Sequence, residues 1–126
     1  MILSENREDE LRKFATKIRL NTLRTLNHLG FGHYGGSLSI VEVLAVLYGE
    51  IMPMTPEIFA SRDRDYFVLS KGHAGPALYS TLYLNGFFDK EFLHSLNTNG
   101  TKLPSHPDRN LTPGIDMTTG SLGQGI

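Results

Sequence analysis

A chain of 126 residues holds one modest domain and buries roughly two-thirds of its unfolded surface. Hydrophobic residues at 40% and charged residues at 20% exclude a disordered or fibrous protein. Twelve Lys and Arg against thirteen Asp and Glu leave a formal charge of -1. No long-range field then favours nucleic acid or an anionic membrane, and any anionic ligand must be recognised locally.

The absence of cysteine excludes disulfides and thiolate metal sites and fits a reducing compartment, so a cytoplasmic location is expected. Met1 to Arg7 lacks the basic-then-apolar pattern of a signal peptide. The most apolar stretch, Ile40 to Met52, carries Glu42 and Glu50 and falls short of the roughly 20 residues a bilayer requires. Nothing in the sequence reads as secreted or membrane-inserted.

From Glu8 to Leu29, Leu11, Phe14, Ala15, Ile18, Leu26 and Leu29 recur at helical spacing, with Leu20 and Leu23 widening the stripe. One long amphipathic helix ended by Gly30 is expected. The glycine-rich run Gly30 to Gly36 reads as a loop. Ser39 with Glu42 three residues on has the capping-box pattern and predicts a second helix to about Met52, broken by Pro53 and Pro56.

Tyr66-Phe67-Val68-Leu69-Ser70 is an aromatic and β-branched run that predicts a strand. It feeds the turn Lys71-Gly72-His73-Ala74-Gly75-Pro76, and a helix is expected from Ala77 to Leu84, closed by Gly86. Strand, glycine-rich turn and helix in that order begin an α/β unit. Asp89 is placed to cap a short helix to Leu96, and beyond Asn97 prolines and glycines predict loop. No internal repeat and no linker divides the chain.

Three of the five histidines sit in small-residue turns: His33, His73 and His106. Loops on a rigid scaffold concentrate ligand contacts, and glycine permits close backbone approach. His28 and His94 fall within helical patterns and are read as residues without chemistry. A histidine zinc site is the rival reading, but separations of 40 and 33 residues match no compact ligand spacing. Thr118 to Gly125 offers free amides and hydroxyls where a helix would begin, which suits a phosphate, although taken alone the segment reads rather as a plain turn. It has neither the lysine of a P-loop nor the dinucleotide fingerprint.

Taken together, Gly32 to Ser39, Leu69 to Ala74, Leu103 to Pro107 and Thr119 to Gly125 resemble, in order and spacing, the successive motifs of transketolase N-terminal regions. The form is most similar to split transketolases, whose diphosphate and pyrimidine domains are separate polypeptides. The resemblance implies an α/β fold: the helix-rich N-terminal part of a three-layer, thiamine-diphosphate-binding fold with a parallel sheet. Residues 1–126 would form a partial diphosphate-binding domain.

By the same resemblance, His33 and His106 match catalytic histidines that line the substrate channel, with hydrogen bonding and proton transfer as their work. His73 matches a histidine at the cofactor diphosphate, and Gly120, Ser121 and Leu122 match the turn packed on the cofactor. Tyr34 stands where many members have proline.

The implied activity is transfer of a two-carbon ketol unit from a ketose phosphate to an aldose phosphate, with thiamine diphosphate and Mg2+ as cofactors. The implied partners are sugar phosphates, further copies in a homo-oligomer, and a C-terminal transketolase subunit. Family members hold the metal through a Gly-Asp-Gly segment and a later asparagine, and neither precedes Ile126. The isolated chain is therefore expected to be inactive. The alternatives are a naturally shortened, non-catalytic interaction protein and another thiamine-diphosphate enzyme, such as a pyruvate-decarboxylating synthase.

Overall fold

A computed structural model describes residues 2–123. Helix α1 runs Glu5–Leu29. It begins at Glu5 rather than Glu8 because Ser4 caps it: the serine oxygen accepts the Arg7 N–H at 3.2 Å, and Glu5 and Glu8 meet the positive end of the helix dipole. It ends where the sequence indicates, since Gly30 takes φ +93° and returns its N–H to the Leu26 carbonyl at 2.8 Å. Leu11, Ala15, Ile18, Thr22, Thr25 and Leu26 form its buried face, while Leu20 and Leu23 stay partly exposed.

A short helix, α2 (Tyr34–Leu38), begins inside the glycine-rich run expected to be loop, and the single helix expected from Ser39 to Met52 is two pieces, α3 (Val41–Val46) and a π-helical turn, Leu47–Ile51. The Ser39–Glu42 capping box does not form. Ser39 terminates α2, its Oγ donates to the Gly36 carbonyl at 3.0 Å, and Ile40 opens α3 without a side-chain cap. The π turn seats Gly49 directly on α1, where a Cβ would lie 2.8 Å from Leu11 Cδ2. Tyr34–Ile51 has the length and apolarity of a membrane span, but it is interrupted at Ser39–Ile40 and gives Val41, Leu44, Ala45 and Tyr48 to the core.

After the short α4 (Pro56–Phe59), a 3-10 turn at Gly72–Ala74 leads into α5 (Gly75–Leu84). α5 starts at Gly75 rather than Ala77, with Pro76 in its first turn, where the missing N–H costs nothing. Every residue from Gly75 to Leu82 is buried, as befits a helix apolar on all sides with α1, α3 and α6 packed around it. Its buried hydroxyls are satisfied internally: Ser80 Oγ donates to Pro76 O at 3.0 Å and Thr81 Oγ1 to Ala77 O at 2.9 Å. α6 (Lys90–His94) is capped by Asp89, whose Oδ1 accepts the Phe92 N–H at 2.8 Å, and stops short of Leu96.

Among the described residues there is no β-strand. Tyr66 to Ser70 departs from the strand expected there because no second extended segment among the described residues lies beside it to complete a ladder. Its side chains do alternate: Phe67 and Leu69 turn inward, while Tyr66, Val68 and Ser70 are exposed. The Phe67 N–H is instead taken by Asp116 Oδ2 at 2.8 Å.

Candidate functional site

Each loop histidine is positioned by a different element. His33 is the N-terminal cap residue of α2 and follows Gly32, whose φ of +144° and contact with Leu26 admit no side chain. His73 lies in the 3-10 turn that opens α5. His106 is carried by the loop after Asn97, which is anchored from below. There Tyr79 Oη donates to the Pro104 carbonyl at 2.6 Å, and Gly75 leaves room for the Ser105 carbonyl.

These elements bring the three imidazoles together. Ring centroids are 4.8 Å apart for His33 and His73, 4.4 Å for His73 and His106, and 5.9 Å for His33 and His106. Gly120 closes the cluster from the C-terminal side: with φ +134°, it packs so closely that a Cβ there would lie 2.9 Å from His106 Cβ and Cγ. The Thr119 N–H bonds the Pro107 carbonyl at 3.1 Å, so the bend and the His106 loop move together.

Ser121 and Leu122 are exposed and do not join the imidazoles. They line an open cleft of about 680 Å³ between Met117–Gly123 and the exposed face of Val68 and Ser70, and no histidine borders it. Gln124 and Gly125 of the same motif lie outside the described residues. His28 and His94 stack on each other at 5.1 Å, away from the cluster.

His106 Nε2 in the cluster and Thr119 Oγ1 in the adjoining bend are buried without a hydrogen-bond partner, as are Thr25 Oγ1, Ser37 Oγ and His94 Nε2 elsewhere. A ligand group reaching the cluster would supply the partner that His106 Nε2 lacks. Burial first, and then the neighbouring His73 and His33, hold the His106 pKa below the usual 6.5. The neutral ring is thereby favoured, able to accept at one nitrogen and donate from the other. Among the described residues no group of three His, Asp or Glu side chains is disposed to hold a metal ion.

Burial first, then His28 and Lys90, likewise depresses His94. Below about pH 6.5 the unfolded chain takes up protons that these two folded histidines refuse. The stability they contribute is complete above the unfolded pKa and is lost as pH falls through their lowered folded values. Urea midpoints are therefore expected to fall between about pH 7 and about pH 5. The double variant His94→Asn, His106→Asn should flatten that slope, and an unchanged slope would refute the assignment.

Sequence reasoning missed the pair that fixes the C-terminal approach to the site. Arg64 and Asp116 side chains are only 6% and 8% exposed and meet bidentately, Nη2 to Oδ1 at 2.7 Å and Nη1 to Oδ2 at 3.2 Å. Their 52-residue separation gives no local signal.

Comparison with known proteins gives one consistent answer. The family description "Transketolase, thiamine diphosphate binding domain" matches residues 11–126. The 6-deoxy-6-sulfo-D-fructose transketolase subunit SqwG of Clostridium sp. (strain MSTE9) is 55% identical over 98% of this chain and 45% of its own length. An apulose-4-phosphate transketolase subunit of Actinobacillus succinogenes is 35% identical over 94% of this chain and 43% of its own. Among solved structures, transketolase from Leishmania mexicana superposes with a TM-score of 0.85 at 34% identity, covering 91% of this chain and 17% of that one. The chain thus spans less than half the length of these relatives. With its motifs, its fold and its sequence in agreement, the chain belongs to the transketolase family, within the thiamine-diphosphate-binding domain.

Proposed function

We propose that the chain contributes the histidine-bearing half of a thiamine-diphosphate site that transfers a two-carbon ketol unit from a ketose phosphate to an aldose phosphate. The observation that carries this reading is the convergence of the His33, His73 and His106 rings within 6 Å of one another. These residues suit the cofactor: imidazoles supply donors and acceptors, and the glycines at 72 and 120 let the His73 turn, the Thr119–Gly120 bend and His106 pack in direct contact. When bound, thiamine diphosphate supplies the electron sink that carbon–carbon cleavage requires.

In this reading His73 and its turn bind the diphosphate end, with Gly120, Ser121 and Leu122 as the bend beside the cofactor. His33 and His106 orient sugar hydroxyls and move protons at them. A neutral His106 accepts a hydroxyl proton at an unprotonated ring nitrogen and returns it from the same atom. Mg2+, a C-terminal subunit, and a parallel sheet continuing from Tyr66–Ser70 complete the cytoplasmic enzyme, and the 126 residues alone do not turn over substrate. Two of the relatives are themselves named as transketolase subunits, which supports the separate partner. The 55% identity to a sulfo-fructose transketolase subunit favours a second reading of the donor, a sulfonated ketose.

Calorimetry with thiamine diphosphate and Mg2+, on this chain extended and paired with its partner subunit, tests the proposal. His73→Ala is expected to weaken cofactor binding by roughly tenfold, the size of one lost charge-assisted hydrogen bond. His106→Ala should mainly lower kcat, by about 10²-fold or more. Equal cofactor affinity in wild type and His73→Ala would overturn the assignment of His73, and turnover by this chain without a partner subunit would overturn the need for one.

A further inference from the structure

Tyr79 is the bulkiest fully buried side chain among the described residues, and it ends in a hydroxyl. A phenylalanine would fill the same space in α5, and a phenol buried without a partner is unfavourable. The partner lies outside the helix: Oη donates to the Pro104 carbonyl at 2.6 Å, 25 residues downstream. Burial above all, with Asp108 adding to it, pushes the Tyr79 pKa up, so the phenol remains a donor at working pH.

The bond falls on a face of α5 shaped to receive the His106 loop. Gly75 and Tyr79 are four residues apart on the helix, so they lie one above the other. A Cβ at Gly75 would stand 2.8 Å from the Ser105 carbonyl oxygen, 3.3 Å from Pro107 Cδ and 3.6 Å from Tyr79 Cε2. The segment Pro104 to Pro107 thus crosses the bare start of the helix, with the Tyr79 bond at one end and His106 within it. Two further bonds hold the approach: Thr112 Oγ1 donates to the Lys102 carbonyl at 2.6 Å, and the Asn97 N–H to that of Leu103 at 3.0 Å. Past Leu103, the next anchor before His106 is the Tyr79 hydroxyl. The same helix follows directly on the turn that holds His73, so α5 carries one imidazole at its entrance and grips the loop of another one turn further on. Those two rings are 4.4 Å apart.

We propose that Tyr79 is the positioning residue for His106: by holding the Pro104 carbonyl, its hydroxyl sets the place of that imidazole relative to His73 and hence its aim at the substrate. The proposal rests on the functional reading above for the catalytic part of His106, and on geometry alone for the placement of the ring. Being fully buried, Tyr79 acts through the loop and not on a ligand.

The test compares Tyr79→Phe, Thr81→Val and His106→Ala in the enzyme assembled with its partner subunit. Tyr79→Phe keeps the ring and removes the bond. Thr81→Val removes a buried hydroxyl of the same helix whose bond, to the Ala77 carbonyl, stays within the helix. Circular dichroism and urea midpoints establish that each variant is folded. Tyr79→Phe should lower kcat by roughly tenfold, within what a misplacement of about 1 Å can cause, while thiamine diphosphate affinity holds because His73 keeps its turn. Thr81→Val should leave kcat unchanged. The His106 ring, followed by NMR with labelled histidine, should titrate nearer the ordinary 6.5 in Tyr79→Phe, because a looser loop admits water and moves the ring away from His73 and His33. The His94 ring, on α6, should titrate as in wild type.

An unchanged His106 titration in Tyr79→Phe overturns the proposal. So does a kcat loss that Thr81→Val matches, or an unchanged kcat where His106→Ala lowers it. If His106→Ala itself leaves kcat unchanged, the catalytic reading of His106 falls, and the ring titration alone then decides whether Tyr79 positions it.

Discussion

Asp116→Ala is expected to lower the unfolding free energy by about 3–5 kcal/mol, the cost of leaving a buried charge without its partner. Arg64 is locked from several sides. Its guanidinium lies 4.2 Å above the Phe59 ring and 3.9 Å above that of Tyr66, and Nε donates to the Phe59 carbonyl at 3.0 Å. It cannot turn out to water without giving up all of these contacts. Asp116 Oδ2 also accepts the Phe67 N–H, so the alanine variant orphans a backbone donor as well. Against the 5–15 kcal/mol that typically holds a domain together, roughly 3–5 is enough to leave a marginal fold. Urea unfolding at constant m-value measures it. The double replacement Arg64→Met, Asp116→Leu should recover most of the loss, because it removes both charges together. A single-variant loss below about 1 kcal/mol would mean the pair is hydrated in solution rather than buried.

That pair also shows where reading the sequence stops. Local signals located α1, α5 and α6, because caps and glycines act within a few residues: Gly30 and Gly86 take positive φ, and Asp89 caps α6. The three histidines stood out for the same reason, each in a turn of small residues, and the structure places their rings within 6 Å of one another. The run Ser61 to Asp65 has a wholly polar composition, yet it contains the buried Arg64, whose partner lies 52 residues away. Likewise Ser39 has the signature of a helix cap, but the backbone turns at Ile40 and commits the hydroxyl to Gly36 and Lys71 instead. Tyr66 to Ser70 has the composition of a strand, and composition alone supplies no neighbour for its backbone.

Gly72→Ala is expected to break the site while sparing most of the helical core. A Cβ at position 72 would stand 2.6 Å from the Gly120 amide nitrogen and Cα and 2.8 Å from the Thr119 carbonyl carbon. All three are backbone atoms, so no flexible side chain can swing aside, and the whole bend must move. The displacement loads the Thr119 N–H bond to Pro107 and the packing of Gly120 on the His106 ring, which are the contacts that bring the C-terminal segment to the imidazoles. Overpacking of this kind costs about 1–3 kcal/mol. The functional loss should be larger, because a misplacement of about 1 Å at a reacting group can cost 10²-fold. In the assembled enzyme, thiamine diphosphate affinity should fall by at least tenfold, and the His106 ring signal should shift without ligand present. Gly35→Ala is the matched control. It lies in α2, its added Cβ meets nothing within 4 Å, and alanine there should be neutral or stabilising by about 0.4–1 kcal/mol. If Gly72→Ala binds cofactor as tightly as Gly35→Ala, the contact between the His73 turn and the Gly120 bend is not what holds the site together.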